Sequence, residues 1–293
     1  MENDLSGKTY VITGATSGIG LATAEALTRL GASIIGIGRS PARCVEAENH
    51  LRSLRSGADP VVLVCDLALQ AQVRQLAEYI RDLLAAREKT GLDGLVNNAG
   101  TFTYWLAFTP EGFETQWAVN HLAPFLLTHE LLPLLCTAPS ARVVTVSSAS
   151  HYNTRLRWDD LQLRRRYNGL LAYNQSKLAN VLFTLELNRR LGPGSSVRAF
   201  AADPGLVKTE IGFKGTPGIV RWVWGLRRSG GDDPREAARG IVYLLTEPAI
   251  QDSGEIYWKA SQPRQASPYA LDAESAGLLW SISEQMCRME MER

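Results

Sequence analysis

The sequence predicts an α/β fold, a single doubly wound domain in which helices cover both faces of a central parallel sheet. Short β-branched runs alternate with longer segments of helical apolar period through the first half, the pattern of repeated βαβ units. A glycine turn containing Gly14, Gly18 and Gly20 joins the first such run to the first helical segment. The 293 residues suit one large domain, 1–293, with no repeat, low-complexity tract or linker to mark a second.

Taken in order, the runs rich in valine, isoleucine and threonine at 9–13, 33–36, 61–65, 94–97, 143–147 and 197–201 read as strands. Apolar residues recur at helical spacing at about 18–30, 41–55, 70–88, 112–135 and 172–191, and a shorter strand is expected at 256–259. Two regions break the rhythm. An insertion at 151–171 separates a strand end from the helix that follows and carries Trp158, Asp159, Asp160 and Arg164 to Arg166. A glycine-rich segment at about 210–233, with Phe213, Trp222 and Trp224 beside several arginines, reads as a lid.

Thirty-one basic residues balance thirty acidic ones, a net charge of +1, so no field is present to hold nucleic acid or an anionic membrane. Cys44, Cys65, Cys136 and Cys287 are widely spaced, with no zinc pattern and no disulfide framework. No run approaches the roughly 18 apolar residues of a membrane span, and residues 1–8 are polar. A cytoplasmic protein without a transmembrane segment is expected.

Thr13-Gly14-Ala15-Thr16-Ser17-Gly18-Ile19-Gly20 follows the first strand and opens the first helix, where backbone N–H groups and the helix dipole can meet a pyrophosphate. On its own the triad equally fits a plain strand-to-helix turn. The second strand ends at Gly36-Ile37-Gly38-Arg39-Ser40 with no acid to bond a ribose 2′-hydroxyl, and Arg39 can pair with a 2′-phosphate; this predicts NADP(H) over NAD(H). Asp66-Leu67 and Asn97-Asn98-Ala99-Gly100 follow the third and fourth strands, where a ligand crevice is expected. Asp66 fits a helix N-cap as well as an adenine contact, and the two asparagines fit a turn as well as a cleft floor. Tyr173 and Lys177 are four positions apart on one helix and share a face, so the ammonium is expected to lower the phenol pKa toward that of a working proton donor.

The glycine turn, Asn97-Asn98-Ala99-Gly100, Ser147-Ser148, Tyr173-x-x-x-Lys177 and Pro204-Gly205 together resemble the short-chain dehydrogenase/reductase family, in order and over nearly the whole chain. The resemblance implies a Rossmann domain in which Tyr173 is the general acid/base and Lys177 tunes it while bonding the nicotinamide ribose. It also implies that Ser148 holds the substrate oxygen and that Asn120 anchors a water in the proton relay, with Ser147 and a helix kink as the respective alternatives. Pro204, Gly205, Val207 and Thr209 lie in the stretch that would contact the carboxamide. The 25 positions between Ser148 and Tyr173, the sequence 171–183 and the C-terminal Ser267-Pro268 and Leu279-Trp280-Ser281-Ile282-Ser283 are similar to the retinol dehydrogenase-like branch. Asp203 departs from the histidine usual there, and the membrane anchor common in that branch is not expected here. His121 and His151 receive no role.

The expectation is therefore an NADP(H)-dependent carbonyl reductase or alcohol dehydrogenase acting on a small lipophilic alcohol or carbonyl compound: an aldehyde, a retinoid-like molecule or a polycyclic ketone. A non-catalytic NADP(H)-binding sensor or scaffold is the alternative, and a sugar-nucleotide epimerase a more remote one. By analogy with relatives, pairing through 112–135 and 172–191 would give a homodimer.

Overall fold

The computed structural model describes residues 4–55, 59–205, 207 and 233–288. Strands β1 (Thr9–Thr13), β2 (Ser33–Gly38), β3 (Val61–Val64), β4 (Gly94–Asn97), β5 (Ala141–Val146), β6 (Val197–Asp203), β7 (Tyr257–Lys259) and β8 (Gln262–Pro263) form one sheet. Its order is β3-β2-β1-β4-β5-β6-β7-β8, parallel except for the antiparallel β7–β8 pair. The order reverses direction between β1 and β4, the switch point at which such sheets open a crevice beyond the carboxyl ends of the strands.

Alternation along each strand feeds two cores. Val11, Ile35, Leu95, Val143 and Ala199 face one side; Tyr10, Ile12, Ile34, Val96, Val144 and Phe200 face the other. Helices α1 (Gly18–Arg29) and α2 (Pro41–Ser53) cover the second side together with α7 (Pro234–Thr246). The first side is covered by α3 (Gln70–Ala86), α5 (Ala123–Thr137), α6 (Gly169–Leu191) and α8 (Ala273–Met286). Helix α3 shows the cause plainly: Val73, Leu76, Ala77, Ile80 and Leu84 are buried at helical spacing while its polar residues face out.

The register aligns the carboxyl ends. Thr13 pairs with Ile37, Gly38 with Val64, Asn97 with Thr145, Val146 with Ala202 and Asp203 with Lys259. Every loop singled out as functional thus leaves the sheet along one edge.

Several boundaries differ from the sequence reading. Strand β2 continues to Gly38 because its glycines are close-approach positions rather than a strand end: a Cβ at Gly36 would lie 3.0 Å from Ala15 Cβ, and one at Gly38 2.3 Å from Thr16 Cγ2. The segment expected as one helix over 112–135 divides into α4 (Thr115–Trp117), a π-helical turn Ala118–Leu122 and α5. Helix α6 starts at Gly169, not 172, because Asn168 accepts the Leu171 N–H at its N-cap. The 151–171 insertion is packed, burying Leu156, Leu161 and Leu163, while Asp160 accepts N–H groups of Arg164 and Arg165. Strand β8 and helices α7 and α8 were not anticipated. Among the described residues no helix is long and apolar enough to cross a membrane.

Candidate active site

The turn after β1 is built for an anion. Gly14 and Gly18 adopt φ of +71° and +56°, which favour glycine, and a Cβ on Gly20 would meet Gly14 O at 2.3 Å. At the start of α1, Ser17 makes no side-chain cap and no acidic residue occupies the first turn, so the first N–H groups, including those of Ile19 and Gly20, face outward with the positive end of the helix dipole. Asn98 locks this turn: its Nδ2 donates to Thr13 O at 2.9 Å, while Thr13 Oγ1 accepts the N–H groups of Asn98 and Ala99. Thr16 packs over Gly38, and Arg39 follows exposed at the exit of β2. These residues fit a dinucleotide with a phosphate beside Arg39.

Asp66 sits at the exit of β3 with Oδ1 accepting the Ala68 N–H, a turn cap; the N-cap of α3 is Leu69, and Leu67 packs against the core. Asn97 is buried and donates to Thr128 Oγ1 at 2.9 Å, so it ties β4 to α5. Its Oδ1 has no protein partner. Between the two asparagines, then, Asn98 shapes the turn and Asn97 braces the strand end.

Across the crevice, Asn120 lies in the π-helical turn, where the widened backbone swings its amide toward the loop after β4. Its Oδ1 accepts Thr101 N–H at 2.7 Å, and its Nδ2 donates to Thr101 O and to Ser176 Oγ, each at 3.0 Å. Ser176 in turn donates to Tyr173 O. A Cβ on Gly100 would approach Asn120 Oδ1 at 3.5 Å and Lys177 Nζ at 3.8 Å, so Gly100, Asn120 and Lys177 enclose one small space. Lys177 Nζ donates to Val146 O at 2.9 Å and lies 5.5 Å from the Tyr173 ring centroid. Phe102 meets Tyr173 edge-on at 6.0 Å.

The two serines separate by geometry. Ser147 is buried and its hydroxyl donates to Lys177 O at 2.8 Å. Ser148 is half-buried, and its hydroxyl caps the following turn by accepting Ser150 N–H. Pro204 and Gly205 are half-buried at the end of β6, where Asp203 Oδ1 accepts Gly205 N–H; Val207 packs on the second core. Thr209 and nearly all of the 210–233 segment, including Phe213, Trp222 and Trp224, lie outside the described residues.

Electrostatics correct one expectation. Burial, and secondly the Asp203 carboxylate, push the Tyr173 phenol up to about 12, while burial pushes the Lys177 amine down to about 8. Four-residue spacing brings in the ammonium alone; desolvation and an acid from another strand come only with the fold. His121 is a core residue: burial pushes it down to about 3, and its Nε2 meets Ser283 Oγ at 2.9 Å. His151 and Tyr257, which the sequence reading left without roles, also belong to this edge. His151 holds Ser148 O, and Tyr257 donates to Asp203. No local pattern marks Tyr257; only the β6–β7 pairing brings it there.

Residues 8–216 match the short chain dehydrogenase family. The chain is 37% identical to human retinol dehydrogenase 14 over 96% of this chain and 87% of that one. It is also 37% identical to bovine dehydrogenase/reductase SDR family member 13, over 96% of this chain and 74% of the relative. An uncharacterized protein from Mycobacterium paratuberculosis, known from its crystal structure, superposes with a TM-score of 0.77 at 35% identity, covering 99% of this chain and 97% of its own.

Proposed function

The chain belongs to the short chain dehydrogenase family, in its retinol dehydrogenase-like branch, and within that family of oxidoreductases we propose that it interconverts an alcohol and a carbonyl on a lipophilic substrate with NADP(H). The observation that carries this reading is the cluster beside the aligned strand ends, in which Tyr173 meets Lys177 and Phe102 while Lys177 shares a small space with Asn120 and Gly100.

NADP(H) would lie along the Gly14–Gly20 turn, with Thr16 and Arg39 toward its 2′-phosphate, Asp66 and Leu67 near the adenine, and Ala99, Gly100 and Pro204 to Val207 toward the nicotinamide. Thr209 extends that last group. Bound there, it supplies or accepts the hydride. Tyr173 passes the proton to or from the substrate oxygen, and Ser148 holds that oxygen by a hydrogen bond. Lys177, anchored on Val146 O, bonds the ribose and offsets phenolate charge. Asn120 holds the loop wall and, through the opened π-turn, a relay water. Phe102 with the exposed Tyr104 and Trp105 in the same loop supports an apolar substrate.

Replacing Tyr173 by phenylalanine tests the reading. Turnover of decanal with NADPH is expected to fall by about 10²–10⁴-fold, with NADPH affinity retained. Near-normal turnover in that variant would overturn it.

A further inference from the structure

Glu114 and Gln116 are buried at the N-cap and centre of the short helix α4, and Tyr167 stands one residue before the N-cap of α6, within the 151–171 insertion. The three meet in one polar cluster. Tyr167 OH donates its single proton to Glu114 Oε1 at 2.9 Å, and accepts from Gln116 Nε2 at 2.9 Å and from Thr103 Oγ1 at 3.0 Å. Gln116 Nε2 also reaches Thr103 O at 3.1 Å and Gly169 O at 3.0 Å. A second strap comes from the insertion, since Gln162 Oε1 accepts the Glu114 N–H at 2.8 Å. Thr103 is thus gripped by both its hydroxyl and its carbonyl.

The grip falls on the loop that meets Tyr173. Thr103 follows Phe102, whose ring lies edge-on to Tyr173 at 6.0 Å, and precedes Tyr104 and Trp105, which are exposed and edge-on to each other at 5.0 Å. Asn120 holds the inner end of this loop at Thr101. The outer end lies directly on the first turn of α6: a Cβ on Gly169 would overlap Thr103 O and approach Tyr104 Cα at 3.1 Å. Gly169 is ordinary helix, so close approach of the loop is what calls for glycine there.

Resting on the function proposed above, we propose that Tyr167, with Glu114 and Gln116, is a positioning residue for substrate: it clamps Thr103 onto α6 and so fixes Tyr104 and Trp105 as a distal wall that selects long apolar chains. An aldehyde whose oxygen meets Tyr173 and Ser148 runs outward past Phe102. The tail of decanal is long enough to reach Tyr104 and Trp105, at most about 10 Å further along the loop, whereas butanal ends beside Phe102. Two rings held in place cover that tail without the cost of ordering the loop on binding. Phe102 stays restrained through Asn120 at Thr101, so the cluster acts on binding of the tail and leaves the reacting groups alone.

The test compares decanal and butanal, each with NADPH, in two variants that displace the loop by different means. Tyr167→Phe removes the hydroxyl at the centre of the cluster, and Gly169→Ala leaves those side chains in place while pushing the loop off α6. In both, KM for decanal is expected to rise about tenfold with kcat within about twofold, while kcat/KM for butanal and NADPH affinity stay within about twofold. Amide hydrogen exchange over 101–108 is expected to quicken in both. A cluster serving stability alone would cost the two aldehydes the same factor, through the folded fraction. Equal losses, an unchanged decanal KM or unchanged exchange overturns the inference. Circular dichroism follows folding, and Thr103→Val, which deletes one hydrogen bond and keeps the Glu114–Tyr167 pair, replaces Tyr167→Phe should that variant not fold. Retained decanal turnover in Tyr173→Phe would instead defeat the functional reading itself. An inactive Tyr173→Phe with equal losses for both aldehydes in the loop variants defeats this inference alone.

Discussion

Truncating Asn120 to alanine separates a scaffold from a chemical role at the centre of the site. The amide makes three hydrogen bonds, to Thr101 N–H, Thr101 O and Ser176 Oγ. Ser176 keeps its own acceptor at Tyr173 O, so its loss is small. The two backbone groups of Thr101 are left without protein partners, each costing about 1–3 kcal/mol. Because Thr101 is half-buried, water reaches the vacated space and the sum falls at the lower end, about 3 kcal/mol. Urea denaturation followed by circular dichroism measures it. The loop that Asn120 restrains also carries Phe102, which packs on Tyr173, so kcat in the fully folded variant should drop by about tenfold. Asn120→Asp retains the acceptor for Thr101 N–H but loses both donations, so it should recover only part of the stability. If Asn120→Ala loses less than about 1 kcal/mol yet is inactive, the bridge to Thr101 is not what matters, and Asn120 acts on the reacting groups themselves.

Arg39→Glu should raise KM for NADPH by about 10–100-fold, the worth of one charge-assisted bond to phosphate, with KM for NADH nearly unchanged; equal effects on both would remove Arg39 from cofactor selection. Ser148→Ala should lower kcat/KM by about 10–100-fold with little change in stability, whereas Ser147→Ala should cost about 1 kcal/mol of stability and leave chemistry largely intact, as comparison of steady-state rates and denaturation midpoints will show. His121 is held neutral with its pKa down at about 3. The unfolded chain therefore binds the extra proton below about 6.5, and stability must fall as pH drops through that window. By pH 5 the loss attributable to His121 is about 2 kcal/mol, and His121→Gln should flatten that part of the profile; an unchanged profile would show that His121 is not the group responsible.

The features legible in the sequence were those set by short-range rules. The Gly14–Gly20 turn, the strand ends at Thr13 and Asn97, and the Tyr173–Lys177 pair each follow from residue types within one turn or one strand-to-helix junction. Gly36 and Gly38 were legible as glycines but not as part of β2, since what they accommodate is Ala15 and Thr16 from a neighbouring loop. The π-helical turn at Asn120 was legible only as the alternative of a helix kink, because nothing in Val119-Asn120-His121 fixes how the backbone departs from continuous helix.

Long-range pairing explains the larger omission and reverses one sign. Asp203 was legible only as a departure from the histidine that the resemblance implies; its neighbour Tyr257, and His151 packed on that tyrosine, come together only through the sheet and the turn after β5. A spacing argument sees the cation four residues from Tyr173 and predicts an easily ionised phenol. In the folded chain burial, and secondly the Asp203 carboxylate, push the phenol up to about 12, while burial pushes the amine down to about 8. Neither influence lies within one helical turn of Tyr173: the carboxylate comes from the end of β6, and the burial comes from the packing of α6 against the sheet.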